Sequence, residues 1–366
     1  MGSTQSSMHR AAHRPWPTTQ RDESRLSIKV HRRPSAAARR VDPDGVEMGY
    51  LLNGAWRDGW YDTANTGGEF VRPDSRFHYR ITADGASGYP AAHGRYHLYV
   101  SLACPWAHRT LIMRKLKRLE GAISVSVVEP VMSAEGWAFS EALPDHVNGC
   151  THLHELYTKT QADYSGRVIV PVLWDKQRSV IVNNESSEII RMLNSEFAAV
   201  GADGTDYYPE ALRGELDELN RYVYENVNNG VYRCGFAGTQ AAYEGAVKRL
   251  FRALDTLDER LSRSRYLVGN TLTEADWRLF TTLVRFDAVY YAHFKCNLRR
   301  IEDYPSLSGY VRDLYQTPGI GETVNFDHIK RHYYMSHEHI NPNRIVPLGP
   351  QLDLQRPHGR ERLGHN

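Results

Sequence analysis

The chain has 366 residues, 41% of them apolar and 24% charged, with a formal net charge of +2. That length accommodates two domains and a terminal extension, and the composition is ordinary for a globular protein. No apolar run approaches the roughly 18 residues of a membrane span. Residues 1–47 carry nine Lys/Arg against five Asp/Glu, a net +4, so the remainder is about −2 and gives no electrostatic case for nucleic acid.

Taken in chain order, residues 1–47 are rich in Arg, Ser, Ala and Pro, lack any helical or strand period, and read as a disordered N-terminal extension. Residues 48–94 form a loop-rich lead-in that carries Trp56, Trp60 and Tyr61. The regular body then opens with an expected strand over 95–102, a helix over 104–119 and a strand over 123–128. An irregular stretch follows over 129–165, then strands over 167–174 and 179–182 and a helix over 185–194. Strand-helix-strand followed by two adjacent strands and a helix is the order of a thioredoxin-like domain, here 95–200. Pro171 falls inside the third strand, where proline removes a ladder donor. A cis Val170–Pro171 bond is the expectation, with a trans proline on an edge strand as the alternative.

Beyond the linker at 201–209 the pattern is helical throughout. Ala246, Leu250, Ala253, Leu254, Leu257 and Leu261 recur at helical spacing and mark one buried face. Thr273 and Asp276 form a capping box ahead of Trp277, Phe280, Leu283 and Val284. Further helices are expected over 305–315 and 323–336. The chain is therefore read as α/β plus all-α: an N-terminal thioredoxin-like domain, then an all-helical domain over 201–340. A tail over 341–366 with four prolines is either ordered by contact or loose.

The chemistry centres on Cys104-Pro105-Trp106-Ala107. A cysteine on a strand-to-helix turn meets backbone N–H groups that have no partner within the helix, and these with the macrodipole favour thiolate. Pro105 suits the first helical position, where its missing N–H costs nothing. Position 107 is Ala rather than a second Cys, so a mixed disulfide on Cys104 must be resolved by an outside thiol. The plain alternative is a buried structural cysteine. The four cysteines are scattered, with no metal-type pair, which fits reduced thiols in the cytoplasm. His328 and His332, spaced i, i+4, and His337-Glu338-His339 lack an HExxH pattern and a cysteine partner, so no metal is expected.

Several segments together resemble the glutathionyl-hydroquinone reductases, the Xi class of glutathione transferases. They are Ser101-Leu102-Ala103-Cys104-Pro105-Trp106-Ala107-His108-Arg109-Thr110, the run from Arg167 to Asp175, Asn183-Asn184-Glu185-Ser186, Asn228-Asn229-Gly230-Val231-Tyr232, Leu272-Thr273-Glu274-Ala275-Asp276, Arg285-Phe286-Asp287 and Asn325-Phe326-Asp327-His328-Ile329. The resemblance spans about 48–359. Bacterial members begin near the position of Met48, and the stretch 143–161 is a few residues shorter here.

The resemblance implies a glutathione-transferase fold, glutathione as co-substrate and a homodimer. It makes Cys104 the nucleophile, Tyr232 the proton donor, and Tyr290 and Tyr333 the hydroxyls that stabilise the thiolate. Glutathione would be held by Trp137, Arg167, Val168, Ile169, Val170, Glu185 and Ser186. Ser186 begins a helix whose free N–H groups suit the γ-glutamyl carboxylate, Glu185 suits the ammonium, and Val170 suits strand-like pairing with the tripeptide. The implied reaction reduces glutathionyl-hydroquinones through a Cys104–glutathione disulfide. A general thioltransferase or dehydroascorbate reductase of Omega type is a second reading, and a non-catalytic binding module of the same fold is a third.

Overall fold

The structure is a computed structural model that describes residues Gly49–Gly364. The extension expected to be disordered, 1–47, lies outside the described residues. All described residues fall within one structural unit, Asp44–Asn366.

The central strand β3 (Tyr96–Val100) is buried along its whole length. It pairs in parallel with β4 (Ser124–Val127) and antiparallel with β6 (Val172–Asp175), and β7 (Val180–Asn183) completes the order β4-β3-β6-β7. A parallel pair requires a crossover, and α1 (Pro105–Leu116) supplies it. Helix α3 (Ser186–Ser195) packs against α1 and buries Ile189, Ile190, Met192 and Leu193.

Two sequence expectations are corrected here. The run 167–174 is not one strand. Its first residue belongs to β5 (Gly166–Arg167), which pairs with β1 (Tyr50–Leu52) of a separate small sheet that also holds β2 (Ala55–Arg57). Between β5 and β6 the chain leaves the ladder. Val170–Pro171 is cis, and both backbone polar groups of Ile169 go to the Tyr157 hydroxyl, at 2.7 Å for the carbonyl and 3.1 Å for the N–H. Nor is 129–165 irregular throughout. It contains α2 (His154–Thr160), which buries Leu156 and Tyr157. Seven residues are too few to show a helical period in sequence.

The helical part begins with α4 (Arg213–Val223), which runs through a widened turn at Tyr224–Asn228 into α5 (Asn229–Gly235). Helix α6 (Gln240–Leu261) buries the six apolar positions read from its period. Helix α7 (Glu274–Arg285) is buried on every side, so its polar start must be satisfied internally. The Asp276 carboxylate accepts from the Thr273 N–H at 2.9 Å, the Leu267 N–H at 2.9 Å and the Tyr310 hydroxyl at 2.9 Å. A second widened turn, Phe286–Tyr290, ends α7. Helices α8 (Leu307–Tyr315) and α9 (Phe326–Ser336) follow.

Over its described residues the tail is ordered by contact. Arg360 is buried and donates to the Leu261 carbonyl at 2.9 Å and the Ser264 carbonyl at 2.6 Å.

Candidate active site

Cys104 is the N-cap of α1, with Pro105 at the first helical position. Its sulfur lies 3.6 Å from the carbonyl oxygen of Val170, the residue before the cis proline. The turn is fixed from below by Arg285, which is fully buried. Its guanidinium donates to the Ala103 carbonyl at 2.8 Å, the Leu102 carbonyl at 3.0 Å and the Thr281 carbonyl at 2.8 Å.

The electrostatics of Cys104 reverse the direction expected from the turn alone. Burial pushes its thiol above the usual value. The N–H groups of Ala107 and Trp106 and the cations of Arg285 and Arg72 pull the other way and offset only part of that rise.

One cavity joins Cys104 to most of the expected residues. Trp137, Arg167, Val168, Ile169, Val170, Glu185, Ser186, Tyr232 and Tyr333 all line it. Tyr290 is one hydroxyl further back. Its oxygen lies 2.9 Å from that of Tyr333, which lies 2.6 Å from that of Tyr232. The three phenols thus form one chain that ends at the cavity. Tyr232 feels burial, which raises its hydroxyl, then Arg72, which lowers it, and the Cys104 charge, which raises it; the net shift is upward.

On the opposite side Glu185 caps α3. Its carboxylate accepts from the Ser187 N–H at 2.9 Å and the Ser75 hydroxyl at 3.0 Å. Burial pushes this carboxyl up, but the Ser187 and Ser75 hydrogen bonds and the Arg109 cation outweigh it and hold it below its usual value. Ser186 is buried at the first helical position, where a backbone N–H has no acceptor within the helix.

Arg167 serves the fold as well as the cavity. Its Nη1 donates to the Gly49 and Gly59 carbonyls and its Nη2 to the Trp60 carbonyl, which pins the lead-in to β5. Trp137 stacks on His332 with ring centroids 4.8 Å apart. Ile169 has both backbone groups engaged by the Tyr157 hydroxyl.

Sequence reasoning missed Arg72, Ser75, Arg109 and Arg285 as site residues. Arg109 is buried, stacks on Trp106 at 4.5 Å and donates to Asn228 Oδ1 at 2.8 Å. Arg109 and Arg285 stood inside the quoted motifs, where a charged side chain within a segment expected to pack was the available signal. Arg72 and Ser75 lie in the lead-in, which offered none.

His332 and His337 are packed among rings, and burial pushes His332 down to about 4 and His337 well below its usual value. The grouping of ligand-type atoms found among the described residues, Glu135 with His152 and His154, involves none of the histidines considered above. Glu135 and His154 are already within hydrogen-bond distance of each other, with Nε2 2.9 Å from the carboxylate. All four cysteines are free thiols.

A thioredoxin-like sheet with a cysteine at its first strand-to-helix turn, closed over by a helical domain that contributes phenols, defines a cysteine-type glutathione transferase. The models of the glutathione S-transferase N-terminal and C-terminal domains match residues 103–196 and 240–313. The chain is 56% identical over 324 residues to glutathionyl-hydroquinone reductase YqjG of Escherichia coli K12, a match covering 86% of this chain and 99% of the relative. It is 54% identical over 310 residues to glutathionyl-hydroquinone reductase PcpF of Sphingobium chlorophenolicum, covering 84% and 98%. Among solved structures it resembles the glutathione-bound form of the E. coli protein, with a TM-score of 0.79 at 53% identity over 86% of this chain and 99% of that one. It also resembles a Xi-class transferase from Natrialba magadii, with a TM-score of 0.80 at 48% identity over 86% and 97%. The chain belongs to the glutathionyl-hydroquinone reductase family, the Xi class of glutathione transferases.

Proposed function

We propose that this protein reduces glutathionyl-hydroquinones to hydroquinones at the expense of glutathione. The observation that carries this reading is the meeting of Cys104 and the Tyr232–Tyr333–Tyr290 hydroxyl chain at one cavity, beside the start of α3. A thiol exchange with a carbon leaving group needs both a sulfur nucleophile and a proton donor, and a scaffold needs neither.

In the first step Cys104 gives up its proton and its sulfur attacks the glutathione sulfur of the thioether. Tyr232 protonates the ring carbon that bears the sulfur, and as the carbon–sulfur bond breaks its electron pair stays with the ring. Hydroquinone leaves, and Cys104 and glutathione share a disulfide. A second glutathione, as thiolate, attacks the bound glutathionyl sulfur. Oxidised glutathione departs, Cys104 is free again, and the proton of the second glutathione makes good the one the ring took up. Ala107 leaves no internal thiol to compete with this outside resolution.

In this reading Glu185 takes the ammonium of glutathione, the first turn of α3 at Ser186 takes the γ-glutamyl carboxylate, and Val170 aligns the tripeptide. Trp137, Arg167, Val168 and Ile169 wall the same half, and Tyr290 and Tyr333 act on the thiolate through Tyr232. Residues 95–200 serve as the glutathione-binding domain and 201–340 as the helical one. The protein works as a homodimer in the cytoplasm. The family resemblance supports the dimer, and four free thiols support the compartment; no helix among the described residues is long and apolar enough to cross a membrane.

The test is turnover of glutathionylated benzohydroquinone and menadiol set against a simple glutathione mixed disulfide. Preferred turnover of the thioethers is expected. Turnover of the disulfide alone would make the protein a general thioltransferase.

A further inference from the structure

Arg72 lines the cavity without a task in the mechanism above. Its guanidinium carbon lies over three rings, 4.7 Å from the centre of Tyr232, 4.9 Å from Trp106 and 5.4 Å from Phe70. Its Nε donates to Asn229 Oδ1 at 2.8 Å. Neither Nη has an acceptor, and no carboxylate pairs with the group, among the described residues. Arg167, the other arginine on the cavity wall, has both Nη atoms on lead-in carbonyls. Arg285 is likewise spent on carbonyls beneath the Cys104 turn. Arg72 is therefore a cation set among three rings, with its two terminal nitrogens uncommitted at the cavity wall.

The proposed reaction produces an anion that such a group fits. Once the ring carbon has taken its proton from Tyr232, and the neighbouring hydroxyl proton has passed back to Tyr232, the substrate is a ketone tautomer with sulfur on a tetrahedral carbon. The Cys104 thiolate then attacks that sulfur. The carbon–sulfur pair becomes a ring double bond, and the carbonyl pair moves to oxygen as phenolate. One negative charge thus travels from the sulfur of Cys104 to the ring oxygen beside the leaving carbon. That oxygen is protonated by the incoming glutathione thiol, which supplies the thiolate for the second step.

Resting on that reading of the function, we propose that Arg72 is a catalytic residue which binds this ring oxygen through its Nη atoms and stabilises the departing phenolate. The pocket then selects thioethers whose sulfur-bearing carbon adjoins an oxygen able to take the charge. Fixed donors aimed at developing charge in a site closed to water are the usual source of such selectivity. Arg72 is also among the cations that draw Cys104 and Tyr232 down against the upward push of burial, so its field reaches both the nucleophile and the proton donor.

The experiment compares the full-length protein with Arg72→Met and Arg72→Lys on two substrates. One is a glutathionyl-hydroquinone and the other is the mixed disulfide of glutathione with 2-mercaptoethanol, whose leaving group has no ring oxygen. Arg72→Met keeps the stacking bulk and should lower kcat on the thioether by ~10²-fold. Turnover of the disulfide should fall less than ~5-fold, KM for glutathione should stay within about twofold, and Arg72→Lys should recover part of the loss. Equal losses on both substrates would overturn the proposal and make Arg72 a partner of the Cys104 sulfur. A rise in KM for glutathione alone would overturn it in favour of tripeptide binding. If the unaltered protein turns over the disulfide but not the thioether, the function reading itself fails, and the role proposed for Arg72 falls with it.

Discussion

The two walls of the cavity are built in opposite ways. One is made of backbone: the Cys104 turn, the Val170 carbonyl ahead of the cis proline, and the start of α3 capped by Glu185. The other is made of rings from distant parts of the chain, with Tyr61 from the lead-in, Trp106 from α1, Tyr232 from α5, Phe236 just beyond it, and Tyr333 from α9. A backbone wall suits a constant ligand, because N–H and C=O groups recognise a peptide whatever its attachments. A wall of rings suits a variable aromatic partner, because stacking surface is tolerant of substituents. Cys104 stands where the two walls meet, and this is where the glutathione sulfur would pass between them.

The largest test of that division is Cys104→Ser. Serine keeps the turn but forms no alkoxide at neutral pH and cannot hold a mixed disulfide, so turnover of every substrate should vanish while the melting temperature is unchanged. Retention of more than a few per cent of activity would remove Cys104 from the chemistry.

Tyr232→Phe probes the ring wall alone. The phenyl ring stays stacked near Trp106, and the hydroxyl that ends the chain from Tyr290 and Tyr333 is lost. We expect kcat on glutathionyl-hydroquinones to fall ~10²-fold, the scale of one proton-transfer group, with a smaller loss on mixed disulfides, whose sulfur leaving group needs no carbon protonation. Matching losses would place the hydroxyl in service of Cys104 instead.

Glu185→Gln probes the backbone wall and should have the smallest effect. The amide still caps α3 but loses the charge, so KM for glutathione should rise ~10-fold with kcat nearly constant. The carboxyl is held below its usual value in the folded protein. Its contribution to stability is thus present above the ordinary carboxylate pKa and is lost as pH falls through the depressed value. The glutamine variant should show a shallower decline of melting temperature across that acid range. An unchanged acid slope would show that Ser187 and Ser75 do not distinguish the ionised carboxyl.

What could be read in the sequence follows the same division. The Cys104 turn, the cis bond before Pro171, the start of α3 and the Thr273–Asp276 cap are each written in a few adjacent residues, and each is present in the structure. The ring wall was legible only through family resemblance, since nothing local in Tyr232, Tyr290 or Tyr333 announces that their hydroxyls meet. Arg72 and Ser75 lie in a segment without period, and their partners, Asn229 and Glu185, are 157 and 110 positions away. The N–H groups at the helix start lower the Cys104 thiol as the turn implies, but the larger upward push of burial was not legible, because burial is a property of the assembled fold. Helix α2 was missed because seven residues show no period, although its Tyr157 organises the approach to the cis proline.

The account rests on transfer of one glutathionyl group onto Cys104, and a single turnover measures that directly. Fully reduced protein is mixed with an equal amount of glutathionyl-hydroquinone in the absence of free glutathione, and hydroquinone release and the masses of the cysteine peptides are followed together. The expected result is one hydroquinone released per chain, with one glutathionyl group on the Cys104 peptide and none on Cys150, Cys234 or Cys296. Release of hydroquinone with Cys104 unmodified, or a hydroquinone left attached to Cys104, would contradict the account.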